Sequence, residues 1–430
     1  MSILLKNAKL FDGRTFSAEI TDLFVENGRV SAIGGGLDGS GAKEVIDLSG
    51  KILSPGFIDL HCHLRDPGQE WREDLHSGSL AGAAGGFTTL VCMPNTDPPV
   101  DNAALVRYLV DKGEGCKGAR VLPAGCVTRE RRGPTLAEMG KMALAGAVLF
   151  TDDGSPVSDG KILRLALQYT SRFGVRIMEH PEDMTLTMGA QVNDGTCSSL
   201  SGLKGWPAAA EAADIYRGIS LSADTGVPLH FTHVSAAESI NAVRAGKSSG
   251  CKVTCDVTPH HLCLEETMVI DGGYDPVFKV NPPLRSGSDR DALWEGIKDG
   301  TVDAIATDHA PYHTDEKDVP FQEAAFGIPS LECAAAAVMD EWEKRGKPCS
   351  LEKILSLFTS GPAAILPERW KTLGSLTPGA PADLTVIDPG LERLVDASTW
   401  FSKSRLTPWD GKKLKGWLVM TICGGKVVFR

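Results

Sequence analysis

No cysteine pair in this chain has Cys-x-x-Cys spacing; the two nearest neighbours are Cys251 and Cys255. Eleven scattered cysteines, an odd number, exclude a disulfide framework and read as reduced thiols of a cytoplasmic protein. No run of about 18 apolar residues is present to span a membrane. The opening stretch MSILLKNAKLFDG lacks the apolar core of a signal peptide, so a soluble, cytoplasmic protein is expected. No lysine- and arginine-rich block occurs, and the net charge of −11 argues against a nucleic-acid-binding surface. A small anionic substrate would therefore need local positive charge, from a metal or from individual arginines. Short repeats and low-complexity segments are also missing.

What is present is an alternation. Between residues 55 and 374, β-rich runs at Phe57–Arg65, Thr88–Asn95, Ala119–Val127, Ala147–Asp153, Val175–His180, Leu229–Ser235, Lys252–Thr258 and Ala304–Pro311 are separated by helical stretches. These stretches include Asn102–Gly113, Asp159–Phe173, Ala208–Thr225, Ala236–Ala245 and Asp289–Lys298, with Leu331–Arg345 and Leu351–Ile365 after the last strand. Eight strands alternating with helices predict an α/β fold, a (β/α)8 TIM barrel. A doubly wound open sheet is the alternative, but no glycine-rich dinucleotide turn follows any strand. Residues 1–54 hold only short strands with glycine turns, too little for an independent β domain. The β-rich C-terminal runs Asp383–Ile387 and Trp417–Phe429 offer partners, so residues 1–54 and 375–430 are expected to form one small β-sandwich domain beside the 55–374 barrel.

Barrel chemistry sits at the C-terminal ends of the strands. The first run ends in His61-Cys62-His63, and on a strand alternate residues share a face about 6.5–7 Å apart. Two imidazoles so placed can reach one metal ion. The other ends bear Asn95, then Asp152-Asp153, His180, His233 and Asp308. Each has a bland reading, as a satisfied strand-end histidine or a helix-capping aspartate. Their joint placement at barrel strand ends tells against it. Histidine and aspartate without thiolates suit Zn²⁺, with Mn²⁺, Co²⁺ or Fe²⁺ as other choices. His230 has parity opposite to His233 and is expected to face the helices; His260 and His261 end the seventh run close to the site.

The pieces PGFIDLHCHLRDPG (55–68), GGFTTLVCMPNT (85–96), FTDDGSPV (150–157), HVS (233–235), DVTPHH (256–261), NPPLR (281–285), ATDHAP (306–311), AAFGIPSLE (324–332) and GSLTPGAPADLTVID (374–388) together resemble the amidohydrolase superfamily. Within it they are most similar to dihydroorotases of the bacterial class I type. The resemblance implies two Zn²⁺ per subunit, with His61, His63 and Asp308 at one ion and His180 and His233 at the other. A carboxylate would bridge them. Many relatives use a carbamylated lysine for the bridge, but no lysine lies between Gly146 and Gly154. Asp153 stands where the class I enzymes place an aspartate, and strand alternation puts Asp152 on the opposite face, in a supporting role.

The implied reaction is the reversible cyclisation of N-carbamoyl-L-aspartate to dihydroorotate in pyrimidine biosynthesis. Two cations would activate a shared water, and Asp308 would act as acid and base. Arg65 has the geometry for a substrate carboxylate. His63, Leu64, Asn95, Asn281, Phe326 and Gly327 match the family's other substrate contacts. A homodimer is implied as well, and a complex with aspartate transcarbamoylase is allowed. One position departs from the family pattern Asp-His-Ala-Pro-His: here it is Tyr312, with His313 next. Either Tyr312 substitutes, His313 turns in, or substrate preference has shifted. The rival readings are an allantoinase or a hydantoinase, which typically need the absent lysine, and a non-catalytic barrel partnering aspartate transcarbamoylase.

Overall fold

The computed structural model describes residues 2–430. Each of the eight expected runs overlaps a barrel strand: Phe57–Cys62, Phe87–Cys92, Arg120–Gly125, Leu149–Phe150, Arg176–Glu179, Leu229–Phe231, Val253–Val257 and Ala304–Ile305. They pair in sequence order, and each pairing is parallel. The ring closes where Cys62 and His309 form a parallel bridge and His63 N donates to His309 O at 2.8 Å. Ile58, Leu60, Val91, Leu122, Ala124, Val148, Met178 and Ala304 fill the interior. Helices such as Ala103–Glu114, Gly160–Thr170, Ala208–Thr225 and Gly287–Asp299 cover the outside. Asn102 caps the first of these by accepting from Ala104 N and Leu105 N at 3.0 and 3.1 Å.

The strands stop short of the expected runs, most clearly at Cys62, Phe150, Phe231 and Ile305. Beyond them Arg65, His233 and Asp308 adopt φ of 57°, 40° and 45°, which a ladder cannot accommodate. The chain leaves strand geometry to turn these side chains over the barrel mouth. The expected helix Leu351–Ile365 also breaks, into Leu351–Phe358 and Ser360–Ile365. Pro362 lacks the N–H that a continuous helix would need, and its ring collides with the carbonyl four residues back.

The two termini meet as expected, in one eight-stranded sheet ordered Lys426–Phe429, Lys413–Cys423, Leu384–Leu394, Ile52–Pro55, Ser2–Leu10, Thr21–Glu26 and Arg29–Gly34, with Glu44–Asp47 branching from Ser2–Leu10. Ser2–Leu10 pairs with Glu44–Asp47 through Ile3–Lys6 and with Ile52–Leu53 through Lys9–Leu10. A register shift between Leu5 and Ala8, with Asn7 at φ 59°, comes where the strand changes from one parallel partner to the other. Leu5, Leu10, Leu23, Leu53, Val386 and Ile422 lie in its own core.

The sheet packs closely on the barrel. Thr421 Oγ1 donates to Ala83 O at 2.7 Å, Thr385 Oγ1 to Gly86 O at 2.5 Å, and Arg120 pairs with Asp383 at 2.8 Å. Gly86 has φ 86°, and a Cβ there would stand 2.8 Å from Leu418. Among the described residues, no helix is long and apolar enough to cross a membrane.

Glu332 lies at this junction and accepts from Ser402 N at 3.0 Å. Burial pushes its carboxyl up to about 8, against the N–H groups of Ser402 and Phe401. It stays protonated in the folded protein at pH values where the unfolded chain has released that proton. The folded state therefore holds the extra proton between about pH 5 and pH 8, and stability falls as pH rises through that window. Glu332→Gln removes this slope. Its melting temperature relative to the parent's climbs by a few degrees between pH 5 and pH 8; parallel curves would contradict the assignment.

Candidate active site

The first barrel strand shifts register between Asp59 and Cys62, and the shift turns His61 and His63 to the barrel mouth with their Nε2 atoms 3.2 Å apart. Each ring is fixed by its other nitrogen. The Thr232 hydroxyl donates to Asp256 Oδ1 at 3.2 Å, so it accepts from His61 Nδ1 at 2.8 Å. Asn95 Oδ1 accepts from His63 Nδ1 at 2.9 Å, while its amide nitrogen donates to Asp153 Oδ2 at 3.2 Å. On the fifth strand's end, Glu182 Oε2 takes His180 Nε2 at 3.0 Å. Partners of this kind select the tautomer that leaves the remaining nitrogen free to ligate a metal.

The free nitrogens converge on two carboxylates. Asp153 Oδ1 lies 3.4 Å from His61 Nε2, 3.3 Å from His180 Nδ1 and 3.7 Å from His233 Nε2; its Oδ2 lies 3.6 Å from His63 Nε2. Asp308 Oδ1 lies 3.1 Å from His63 Nε2 and 3.5 Å from His61 Nε2. All six residues are buried. Two overlapping sets, His61 with His63 and Asp308 and His61 with Asp153 and His233, each keep their donor atoms within 4.8 Å.

Supports hold these residues from behind. Asp152 faces away from the cluster and accepts from Val127 N at 2.8 Å, Thr128 N at 3.1 Å and the Thr128 hydroxyl. Glu211 accepts from Ser235 N and Ala236 N at 2.9 and 3.1 Å, fixing the turn that follows His233. Asp59 accepts from Thr307 N at 2.9 Å and Thr307 Oγ1 at 2.6 Å, setting the residue before Asp308.

Burial alone would raise both site carboxyls. For Asp153 the charge of His61 and hydrogen bonds from His180, His233 and His61 win, holding it well below the usual range. For Asp308 the hydrogen bond from His63 and the neighbouring imidazole charges do the same. In return, and against burial, Asp153 lifts His61 to about 9, and Asp153 with Glu182 lifts His180 to about 10. Two anions among four imidazoles, of which His61 and His180 take up protons to balance them, form a donor set suited to cations.

A cavity of about 130 Å³ opens above the cluster, and Arg65, Asn95, Asn281, Tyr312, Phe326 and Gly327 line it. Arg65 Nε donates to Pro311 O at 3.3 Å. Neither Nη of Arg65 makes a protein hydrogen bond among the described residues, and Asn281 Oδ1 is buried without a partner. Gly327, at φ 134°, admits no side chain: a Cβ would stand 2.6 Å from that of Ala310.

Two guanidinium groups lie over the Tyr312 ring, Arg65 at 4.6 Å and Arg72 at 4.9 Å from its centre. Arg72 is held by both oxygens of Glu316 at 2.9 Å. His313 is exposed and caps Thr314–Lys317, accepting from Asp315 N at 3.3 Å. Tyr312, and not His313, therefore faces the cavity.

Two expectations are corrected. Leu64 does not line the cavity; its side chain packs toward Gly78 on the first helix, in the outer core. His230 does not face the helices. It bonds Thr254 Oγ1 at 2.9 Å and Asp256 Oδ2 at 2.8 Å, on the side of Thr232 and His61. Counting parity back from His233 fails because the strand ends at Phe231 and the chain turns before His233. Of the seventh-strand pair, His261 is held by Thr258 Oγ1 at 2.8 Å and Pro282 O at 3.0 Å, and His260 is buried without a partner for either nitrogen among the described residues. Glu182 and Asp256 are additions from the structure. The signal for Glu182 was an acid two residues beyond a strand-end ligand.

Residues 50–239 match the family model described as dihydro-orotase-like, and residues 252–429 match that of the amidohydrolase family. A dihydroorotase from Pelotomaculum thermopropionicum is 44% identical over 433 residues, covering 100% of this chain and 99% of its own. One from Geobacter metallireducens is 42% identical and covers 100% of both chains. The chain belongs to the dihydroorotase family. Among solved structures, an L-hydantoinase (dihydropyrimidinase) from Arthrobacter aurescens superposes with a TM-score of 0.85 at 26% identity, covering 100% of this chain and 96% of its own. A dihydropyrimidinase from Brevibacillus agri gives 0.84 at 21% identity, over 100% and 95%, a likeness of fold. As a member of the dihydroorotase family, the chain is a metal-dependent cyclic amidohydrolase.

Because His61 and His180 hold protons at neutral pH in the metal-free site, an incoming ion must displace them. Titration of a divalent metal into metal-free protein at pH 7 releases protons, and apparent affinity rises with pH. Calorimetry in two buffers of different ionisation enthalpy measures the number released; zero would contradict this account of the site.

Proposed function

We infer that this chain catalyses the dihydroorotase reaction, the reversible closure of N-carbamoyl-L-aspartate to dihydroorotate with loss of water. The observation that carries it is Arg65, whose guanidinium makes one protein hydrogen bond among the described residues, from Nε to Pro311 O, and which lines a small cavity together with His63, Asp153, His180 and His233. A guanidinium with an open fork is built for a carboxylate that stays outside the ring being formed.

In this reading two Zn²⁺ bind per chain. His61, His63 and Asp308 hold one, His180 and His233 the other, and Asp153 both. The donor set of histidine nitrogens and carboxylates without thiolate fits zinc. When bound, the ions acidify water and polarise the carbonyl under attack.

The chain's own residues do the rest. Arg65 grips the α-carboxylate, and Asn95 and Asn281 meet the ureido and amide groups, with the buried Asn281 Oδ1 gaining a donor. Backbone groups at Phe326–Gly327 flank the ring. In closure, Asp308 takes the proton from the ureido nitrogen as that nitrogen bonds to the β-carboxylate carbon. One carboxylate oxygen then departs as water, carrying that proton and a second from solvent. In hydrolysis Asp308 takes a proton from the attacking water and returns it to the departing nitrogen.

We take residues 55–374 as the hydrolase barrel and residues 1–54 with 375–430 as its accessory β domain, a division supported by the terminal sheet. The eleven unpaired cysteines suit a reducing cytoplasm. Hydantoinases share the fold, but a hydantoin or dihydrouracil ring brings no carboxylate to Arg65.

A substrate panel tests the reading. Zinc-loaded protein turns over dihydroorotate and N-carbamoyl-L-aspartate, with dihydrouracil and allantoin far behind. Arg65→Gln raises KM for dihydroorotate roughly ten- to hundredfold, the loss expected for a hydrogen bond to a charged group. Turnover of allantoin or dihydrouracil but not dihydroorotate would overturn the assignment.

A further inference from the structure

The residue after Asp308 is wholly buried and does not line the cavity. His309 Nδ1 accepts from Ser330 N at 3.0 Å and Leu331 N at 3.4 Å, so its ring proton lies on Nε2. That Nε2 stands 3.3 Å from Glu73 Oε2. Glu73 is also wholly buried, and its hydrogen-bond partners among the described residues are all donors. Its Oε2 accepts from Ser402 Oγ at 2.6 Å and Lys403 N at 3.3 Å; its Oε1 takes the Ser77 hydroxyl and Asp74 N, the latter at 3.4 Å. Ser402 N in turn donates to Glu332 Oε1 at 3.0 Å. Ser402 and Lys403 lie between the C-terminal strands Leu384–Leu394 and Lys413–Cys423, so they come from the accessory lobe.

The backbone of His309 has equal weight. Its carbonyl accepts from His63 N at 2.8 Å, and it bridges Cys62 on one side and Ile328 on the other. Just before it Asp308 sits at φ 45°, and two residues after it Pro311 O holds Arg65. A shift of the His309 ring would move both ends of the site.

We propose that Glu73 is a positioning residue for the reaction: by holding His309 Nε2–H it sets the Asp308 carboxylate against the histidine cluster, and the Ser402–Lys403 strap of the accessory lobe holds Glu73. The acid/base is thus aligned by both lobes of the chain. This rests on Asp308 being the acid/base. Misplacement of a reacting group by about 1 Å can cost about a hundredfold in rate without weakening binding.

Four variants of the full chain, loaded with zinc, test the proposal with dihydroorotate. Glu73→Met keeps the volume and removes the acceptor; Glu73→Gln keeps one acceptor oxygen. His309→Asn keeps an acceptor for Ser330 N but cannot reach Glu73, and it decides the matter if Glu73→Met fails to fold. Asp308→Asn is the control on the reading beneath. Glu73→Met and His309→Asn lower kcat by about ten- to hundredfold, with KM and metal content at parental values, and Glu73→Gln recovers most of the loss. If His309→Asn keeps parental kcat, or kcat falls only together with metal loss or a rise in KM, the proposal is overturned. If Asp308→Asn itself turns over normally, the acid/base assignment fails instead.

Discussion

One buried carboxylate organises this molecule. Asp153 lies within 3.7 Å of a ring nitrogen of each of four histidines that arrive from three different strands. A buried anion without compensating charge costs several kcal/mol, so the site must always supply positive charge. With no ion bound, His61 and His180 supply it by taking up protons. A metal ion bound here, as the family's metal dependence calls for, would supply that charge in the protons' place. Much of the surrounding architecture reads as support for this exchange. Thr232, Asn95 and Glu182 hold the outward nitrogens, and Asp152 ties the strand end beneath to the Val127–Thr128 turn.

The barrel gives these groups a common floor, but strand geometry alone does not aim them. Arg65, His233 and Asp308 each adopt a left-handed backbone conformation that side chains other than glycine rarely take. Such conformations persist only where neighbours over-determine them. Asp59 does so beside Asp308 through Thr307, Glu211 does so beyond His233, and Pro311 O receives the Arg65 guanidinium. The accessory lobe belongs to the same scheme, since Ser402 reaches Glu73 and, through it, the residue next to Asp308.

The barrel, the meeting of the termini and the clustered histidines and aspartates were legible in the sequence for physical reasons. Eight apolar runs alternated with helical stretches, and residue types able to ligate metals stood where barrel strands end. The parts that were not legible depended on long-range partners. Glu73 and Asp256 are two among fifty-five acids, and nothing local distinguishes them from surface carboxylates. His230 was misplaced because alternation was extended past the end of the strand. Leu64 was misplaced because it shares a motif with two residues that do face the cavity, while its own side chain turns to Gly78. The choice between Tyr312 and His313 needed the Thr314–Lys317 helix, whose cap holds His313 at the surface and leaves the tyrosine ring under two arginines.

The most direct test of the Asp153-centred site is anomalous diffraction at the zinc edge from crystals of the metal-loaded protein. Two peaks are expected, one ligated by His61, His63 and Asp308 and the other by His180 and His233, with Asp153 contributing an oxygen to each. A single peak, or an ion that Asp153 does not touch, would contradict it.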